Sequence, residues 1–289
     1  MSENQKELLY IFITTCSLSV FMSSLVTIMY FKYGAVTKNF PAQLIMAMSI
    51  LDVLVWFPRI ISSIYKLQTG ENLEEGERNI CIIFGFTFIF FSLITFFITL
   101  MISFGIYSSV VHKIIIANHK KTCIFIIIIL PLIFSTIPFT TNSYGEIDDI
   151  KCSITNYFER VTTFFVVLWI IFFLNAFFII STIVKLKRPP YKEESVQRIV
   201  YKIALFPLFM FVSWAPSSIY RILQSDNLFL GVLTYLLVPL QGVFNPIAYG
   251  LINEKIEKIA KKIFCCNHPQ YNETLMKIDS ITLDESFIN

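Results

Sequence analysis

The sequence predicts an all-α membrane protein, a bundle of seven transmembrane helices. Three observations carry that expectation. Of the 289 residues, 55% are hydrophobic and only 15% are charged, against about 25% charged in an ordinary soluble domain. The mean hydropathy is +0.68. The apolar residues also gather into charge-poor runs of the length that crosses a hydrocarbon core, roughly 20 residues. A soluble globule of this size cannot hide so much apolar surface, because surface scaling forces polar residues outward. Disorder needs low hydrophobicity. Six cysteines are too sparse for a disulfide scaffold, nine glycines exclude a collagen repeat, and a net charge of +3 leaves no footprint for nucleic acid.

The runs follow in order. The first spans residues 8–31. The second spans 40–65 and is interrupted only by Asp52 and Arg59. The third, 80–111, is the longest, and it is expected to tilt or to extend past the bilayer. The fourth spans 122–142 and the fifth 161–184. The sixth, 203–220, is framed by Lys202 and Arg221, and the seventh spans 227–253. Backbone in lipid must satisfy its own hydrogen bonds, so such runs are helices. They are too long and too evenly apolar for alternating barrel strands.

Basic residues set the expected orientation. Lys32 and Lys38, then Lys113, Lys120 and Lys121, then the cluster from Lys185 to Lys202, then Lys255, Lys258, Lys261 and Lys262 all fall on one side. They are most of the 23 Lys and Arg residues. Positive charge accumulates on the cytoplasmic face, which predicts an outside N-terminus and a cytoplasmic C-terminus. The outer loops are then acidic, with Glu71, Glu74, Glu75 and Glu77 in one and Glu146, Asp148 and Asp149 in another. The first seven residues hold Glu3, Lys6 and Glu7 and no basic leader, so the first span is expected to act as its own uncleaved signal. The sequon Asn272-Glu273-Thr274 falls in the predicted cytosol, where it is not glycosylated. The expected organisation is an extracellular N-terminus (1–7), a seven-span domain (8–252), a membrane-surface helix (253–264) and a cytoplasmic tail (265–289), in the plasma membrane.

The cysteines divide by compartment. Cys81 and Cys152 are the two that face the oxidising side, which predicts a disulfide between them, with two unpaired thiols as the plainer alternative. It would close a loop of about 70 residues, worth roughly 4 kcal/mol in the chain-entropy treatment. Cys265 and Cys266 follow a basic amphipathic stretch whose apolar residues Ile256, Ile259, Ala260, Ile263 and Phe264 keep helical spacing. That pattern reads either as a surface helix closed by two palmitoylation sites or as the same helix with free thiols. Two cysteines and His268 are an incomplete ligand set, so no metal and no cofactor are expected.

Polar residues inside the spans are the informative ones. Asp52 is the one acid deep in a helix, where an ionisable group normally faces a partner or water. The seventh span offers Asn245 and Pro246, with Tyr249 one turn on. A hydrated joint between these two helices suits a conformational switch; a fixed packing hydrogen bond is the plainer reading. In the sixth span, Trp214 and Pro216 form either a moving kink or a static one. Trp56, Arg59, Tyr220, Arg221 and Gln241 lie toward the outer ends and are the candidate ligand contacts. Arg59 and Arg221 either meet an anionic ligand or snorkel to headgroups. No hydrolase, zinc-protease or P-loop motif occurs, so no enzyme is expected.

Asn245-Pro246-Ile247-Ala248-Tyr249 matches the N-P-x-x-Y motif of rhodopsin-like G-protein-coupled receptors, and Ser213-Trp214-Ala215-Pro216 is similar to their C-W-x-P. The third span closes on Tyr107 to Lys113 without Asp-Arg-Tyr, and this ending is similar to that of the cyclic-AMP-receptor-like (class E) receptors. Phe40 to Ile45 leading to Asp52, Asn142-Ser143-Tyr144-Gly145, Lys151-Cys152-Ser153-Ile154 and Leu240 to Asn245 also resemble segments of that family. Together such segments cover nearly all of residues 8–264. The resemblance implies a receptor that senses an extracellular small molecule or peptide and activates a heterotrimeric G protein. It implies docking on Tyr107, His112, Lys113, Arg198 and Lys202, although basic residues gather on that face of any membrane protein. Thr274, Ser280, Thr282 and Ser286 in the tail would serve a kinase and an arrestin-like partner, or else the tail is inert. The acidic outer loops oppose cyclic AMP itself, whose phosphate would meet a repulsive field. A seven-helix transporter without G-protein coupling and a non-signalling structural protein are the competing classes.

Overall fold

The computed structural model describes residues 3–32, 40–69, 73–114, 119–147, 151–187, 200–224 and 227–252. It contains seven helices long and apolar enough to cross a membrane, the architecture of a multi-pass membrane protein. Helix α1 is Glu3–Lys32, α2 Phe40–Thr69 and α3 Leu73–Tyr107. Helix α4 is Lys120–Thr140, α5 spans Tyr157–Leu186, α6 is Leu205–Ile222 and α7 Leu228–Ile252. At 1.5 Å per residue the 35 residues of α3 reach roughly 50 Å, beyond a 30 Å hydrocarbon core. The chain divides after Ile252. The expected surface helix, Cys265, Cys266 and the tail lie outside the described residues, as does Arg198.

Helix ends follow local chemistry. Asn156 Oδ1 accepts from the Phe158 and Glu159 amides and starts α5; Asn227 Oδ1 accepts from Phe229 and Leu230 and starts α7. Asn142 adopts φ 54° and turns the chain out of α4, a conformation Asn tolerates better than most side chains. Two wide π-helical turns interrupt the regular helix. One, Ser108–His112, closes α3; the other, Val161–Phe165, lies near the start of α5. Before α6, Pro207 has no N–H for the Ile203 carbonyl, and the helix breaks at Ala204.

Between α4 and α5 the chain forms a β-hairpin, the one sheet among the described residues. Strand β1, Tyr144–Ile147, pairs antiparallel with β2, Lys151–Ile154. The hairpin is an addition to the helical bundle that the sequence did not announce: two four-residue strands are too short to show alternation in sequence. Cys81 and Cys152 are joined, so the hairpin is fastened to the head of α3. One turn further along α3, Gly85 provides the clearance. A Cβ there would stand 3.0 Å from the Tyr144 ring and 3.3 Å from the Ser153 amide nitrogen. The Tyr144 hydroxyl donates to the Ser135 carbonyl of α4 at 2.7 Å, and Lys66 Nζ of α2 pairs with Glu146 Oε1 at 3.5 Å. Burial pushes the Tyr144 phenol pKa up, which keeps it a donor.

Helices α1 and α7 run parallel and are held by small polar residues. Thr15, Ser19 and Ser23 repeat every four residues and form one buried stripe on α1. Pro239 and Pro246 cannot donate to the carbonyls four residues earlier, those of Tyr235 and Gly242. Those two carbonyls are the ones that α1 reaches. Ser23 Oγ donates to Gly242 at 3.0 Å. Thr15 Oγ1 lies 3.3 Å from the Tyr235 carbonyl and shares its proton with the Ile11 and Phe12 carbonyls of its own helix. Gly242 lets the helices close: a Cβ there would collide with the Ser19 hydroxyl, which would have to turn away. Close approach through small residues, with hydroxyls as donors, is how helices associate in lipid.

Candidate functional site

Under the hairpin lies a small cavity walled by residues from six of the seven helices. Most of the wall is aromatic. Phe12 and Phe88 stand edge-on to Trp56, with ring centres 6.3 and 6.0 Å away. Phe88 lies 6.4 Å from Phe164 and 6.2 Å from Trp214. The π turn of α5 supplies an extra residue there, and Phe164 and Phe165 both line the space.

Against this apolar wall stand three arginines, Arg59, Arg160 and Arg221, and no carboxylate among the described lining residues. Arg59 is 2% exposed, so it does not turn out to the lipid edge. Its guanidinium carbon sits 4.1 Å over the centre of the Phe88 ring. Among the described residues no atom accepts a hydrogen bond from its Nε, Nη1 or Nη2, nor from the neighbouring Trp56 Nε1. Arg160 Nη1 donates to the Ile154 carbonyl at 3.2 Å, which ties α5 to the hairpin. Arg221 lies beside the Tyr220 ring, 5.2 Å from its centre.

Of the five ligand contacts expected from sequence, Trp56, Arg59 and Arg221 therefore meet at one cavity. Tyr220 and Gln241 are not among its lining residues. Tyr220 faces α7, where a Cβ on Gly231 would come within 3.7 Å of its hydroxyl. Gln241 sits deeper and accepts a hydrogen bond from Trp214 Nε1. Sequence reasoning missed Phe12, Phe88 and Phe164 because thirty phenylalanines mask any one of them. It counted Arg160 only as an outer charge; its place one residue before the wide turn left no mark in the sequence.

Below the cavity a chain of polar contacts crosses the bundle. Trp214 packs edge-on against Phe96 at 5.0 Å and is two residues from Pro216. Its partner Gln241 precedes Gly242 and shares a helical face with Asn245. Asn245 Nδ2 donates to Asp52 Oδ2 at 3.1 Å, with the two residues 2% and 4% exposed. Pro246 follows within α7, and the side chain of Tyr249 lies outside the described residues.

At the end of the bundle away from the hairpin, the α3 π turn closes on Lys113, held at φ 57°, with His112 exposed beside it. His112 Nε2 lies 3.3 Å from the Tyr107 hydroxyl. Val110, Leu186 and Val200 form a small core joining α3, α5 and the approach to α6, and Lys202 is half-buried nearby in sequence. Among the described residues no group of three His, Cys, Asp or Glu stands ready for a metal ion. Compared with known proteins, the chain matches no family model and no curated sequence.

Proposed function

We propose that the chain is a G-protein-coupled receptor of the plasma membrane, with its N-terminus outside and its C-terminus in the cytosol. One observation carries this reading: a hairpin-covered cavity whose floor residue, Trp214, is hydrogen-bonded to the helix that also holds the Asp52–Asn245 pair. Ligand entering beneath the hairpin touches Trp214 directly. A shift of Trp214 reaches α7 through Gln241, and Pro216 lets α6 bend without breaking a backbone amide bond. The Asp52–Asn245 joint is the element that repacks. Ligand moves this equilibrium only by its differential affinity for the two arrangements.

The G protein docks at the opposite end, on Tyr107, His112, Lys113, Arg198, Lys202 and the surface helix after Asn253. Palmitoyl chains on Cys265 and Cys266 hold that helix to the bilayer, and phosphorylated tail residues draw an arrestin-like partner. The deciding experiment is nucleotide exchange on the host's own Gα in vesicles, with a library of candidate ligands. Ligand-dependent exchange that is lost in Arg198→Glu/Lys202→Glu at unchanged surface level is the expected result. Substrate flux into vesicles without exchange would establish the transporter instead, and neither activity would leave a structural protein.

A further inference from the structure

We propose that the cavity takes an organic anion: a single carboxylate or phosphate head on an apolar or aromatic body, with the head bound by Arg59. The site is the ligand site of the receptor reading and deepens it. The argument starts from charge. A guanidinium cannot shed its proton, so the cation of Arg59 is present in the unliganded protein. A buried charge is costly unless it is paired and hydrogen-bonded. The Phe88 face supplies part of the compensation, through the ring quadrupole. It leaves the edge of the guanidinium, with its N–H groups, unmatched by any acceptor among the described residues.

That edge is the part that reads carboxylate and phosphate with two parallel hydrogen bonds. Trp56 Nε1 adds another unmatched donor beside it, and Arg160 and Arg221 add positive charge across the same space. The hairpin's own acid, Glu146, is engaged with Lys66. The rest of the ligand is chosen by the wall. The cavity presents phenyl and indole faces, and the described lining holds no Asn, Gln, Asp or Glu to read the edge of a nucleobase. An amphiphilic acid therefore fits better than a nucleotide. Such an acid reaches the site from water or from the bilayer. The acidic segments flanking the hairpin and the head of α3 slow the first route and not the second.

The test uses the purified full-length chain in nanodiscs and reads binding by calorimetry and thermal midpoint, with no G protein present. The probes are 3-phenylpropionate as a soluble acid, oleate and oleoyl-lysophosphatidate as lipid acids, their neutral amide or alcohol counterparts, and cyclic AMP. At least one acid is expected to bind and raise the midpoint while its neutral counterpart does not. Arg59→Gln is expected to weaken that acid by about ten- to a hundred-fold, and Arg59→Lys, which keeps charge but loses the fork, by less. Arg59→Leu without ligand is expected to melt at or above the wild-type temperature, because it removes an uncompensated charge; it also serves if Arg59→Gln does not fold. Binding by the soluble acid that quickens with added salt marks the aqueous route; binding only by the lipid acids marks the bilayer. The proposal is overturned if no acid binds, if the neutral counterparts bind equally, if cyclic AMP outcompetes every acid, or if Arg59→Leu melts lower and still binds the acid. Acid binding with no nucleotide exchange sinks the receptor reading and leaves this one standing. Exchange driven by a cation does the reverse.

Discussion

Ser23→Ala tests the link between α1 and α7, and its cost follows from the proline that faces it. Pro246 has no amide to give the Gly242 carbonyl, and Ser23 Oγ supplies the missing donor at 3.0 Å. In lipid the carbonyl has no water to turn to. Interhelical hydrogen bonds in membrane proteins average about 0.6 kcal/mol and reach about 1.7. Ser23 is buried and its acceptor has no amide of its own helix four residues on, so this bond belongs near the upper end. Removing it is therefore expected to cost about 1.5 kcal/mol, roughly a ten-fold change in the unfolding constant.

The second half of the cycle isolates the cause. In a Pro246→Ala background the amide gained at that position reaches the Gly242 carbonyl in the ordinary helical way. Ser23→Ala is then expected to cost a few tenths of a kcal/mol, and the coupling between the two sites to account for the remainder. Unfolding is followed by titrating SDS into micelles and labelling the buried thiols of Cys16 and Cys123, with Cys265 and Cys266 replaced by Ser. An equal cost of Ser23→Ala in both backgrounds would refute the reasoning, since the hydroxyl would then act by packing alone.

Three further perturbations have defined outcomes. Cys152→Ser should lower stability by about 4 kcal/mol or less, and dithiothreitol should lower the wild-type midpoint by the same amount without affecting the variant. Asp52→Asn keeps an acceptor for Asn245 Nδ2 and should leave the fold near wild type. Asp52→Leu orphans that donor and should cost about 1–3 kcal/mol in the same SDS titration. Tyr144 keeps its proton in the folded chain above the pH at which the unfolded chain loses it, so stability should fall as pH rises beyond about 10. Tyr144→Phe should flatten that fall and remove about 1 kcal/mol at neutral pH, read by hydrogen exchange across the hairpin.

Which parts of this molecule were legible in its sequence follows from what lipid permits. The seven helices were, because no other backbone arrangement survives in a span without charge. The ends were less so: α3 begins at Leu73, ahead of the predicted residue 80, because a helix continues into the acidic segment once its core is anchored. Asp52 and Asn245 could be paired in advance since each is a polar group with few alternatives. For Arg59 the sequence reading left burial and snorkelling open, although a signal was there: Ser49, Asp52, Arg59, Ser63 and Lys66 keep helical spacing and all lie on one buried face of α2. The hairpin was hidden because its strands are short and much of what holds Tyr144–Ile147 and Lys151–Ile154 in place, Cys81 and Gly85 of α3, is distant in sequence.

The same scarcity of polar groups gives the cavity its meaning. In this bundle several buried polar groups are matched across helices: the carbonyl freed by Pro246 by Ser23, the Trp214 indole by Gln241, the Asn245 side-chain amide by Asp52. Each match is made between helices, so each also fixes how two helices lie. Arg59 carries a full charge whose N–H groups are buried and find no acceptor among the described residues, at a cavity it shares with two further arginines. A protein could remove such a cost with any apolar side chain at that position. Keeping it raises the energy of the unliganded state and leaves the surrounding helices free of a bond that would lock them. An anion that arrives supplies the missing match and, with it, the differential affinity that a population shift requires. The buried cation thus links the two proposals: the same unsatisfied group selects the ligand and makes its binding count for conformation.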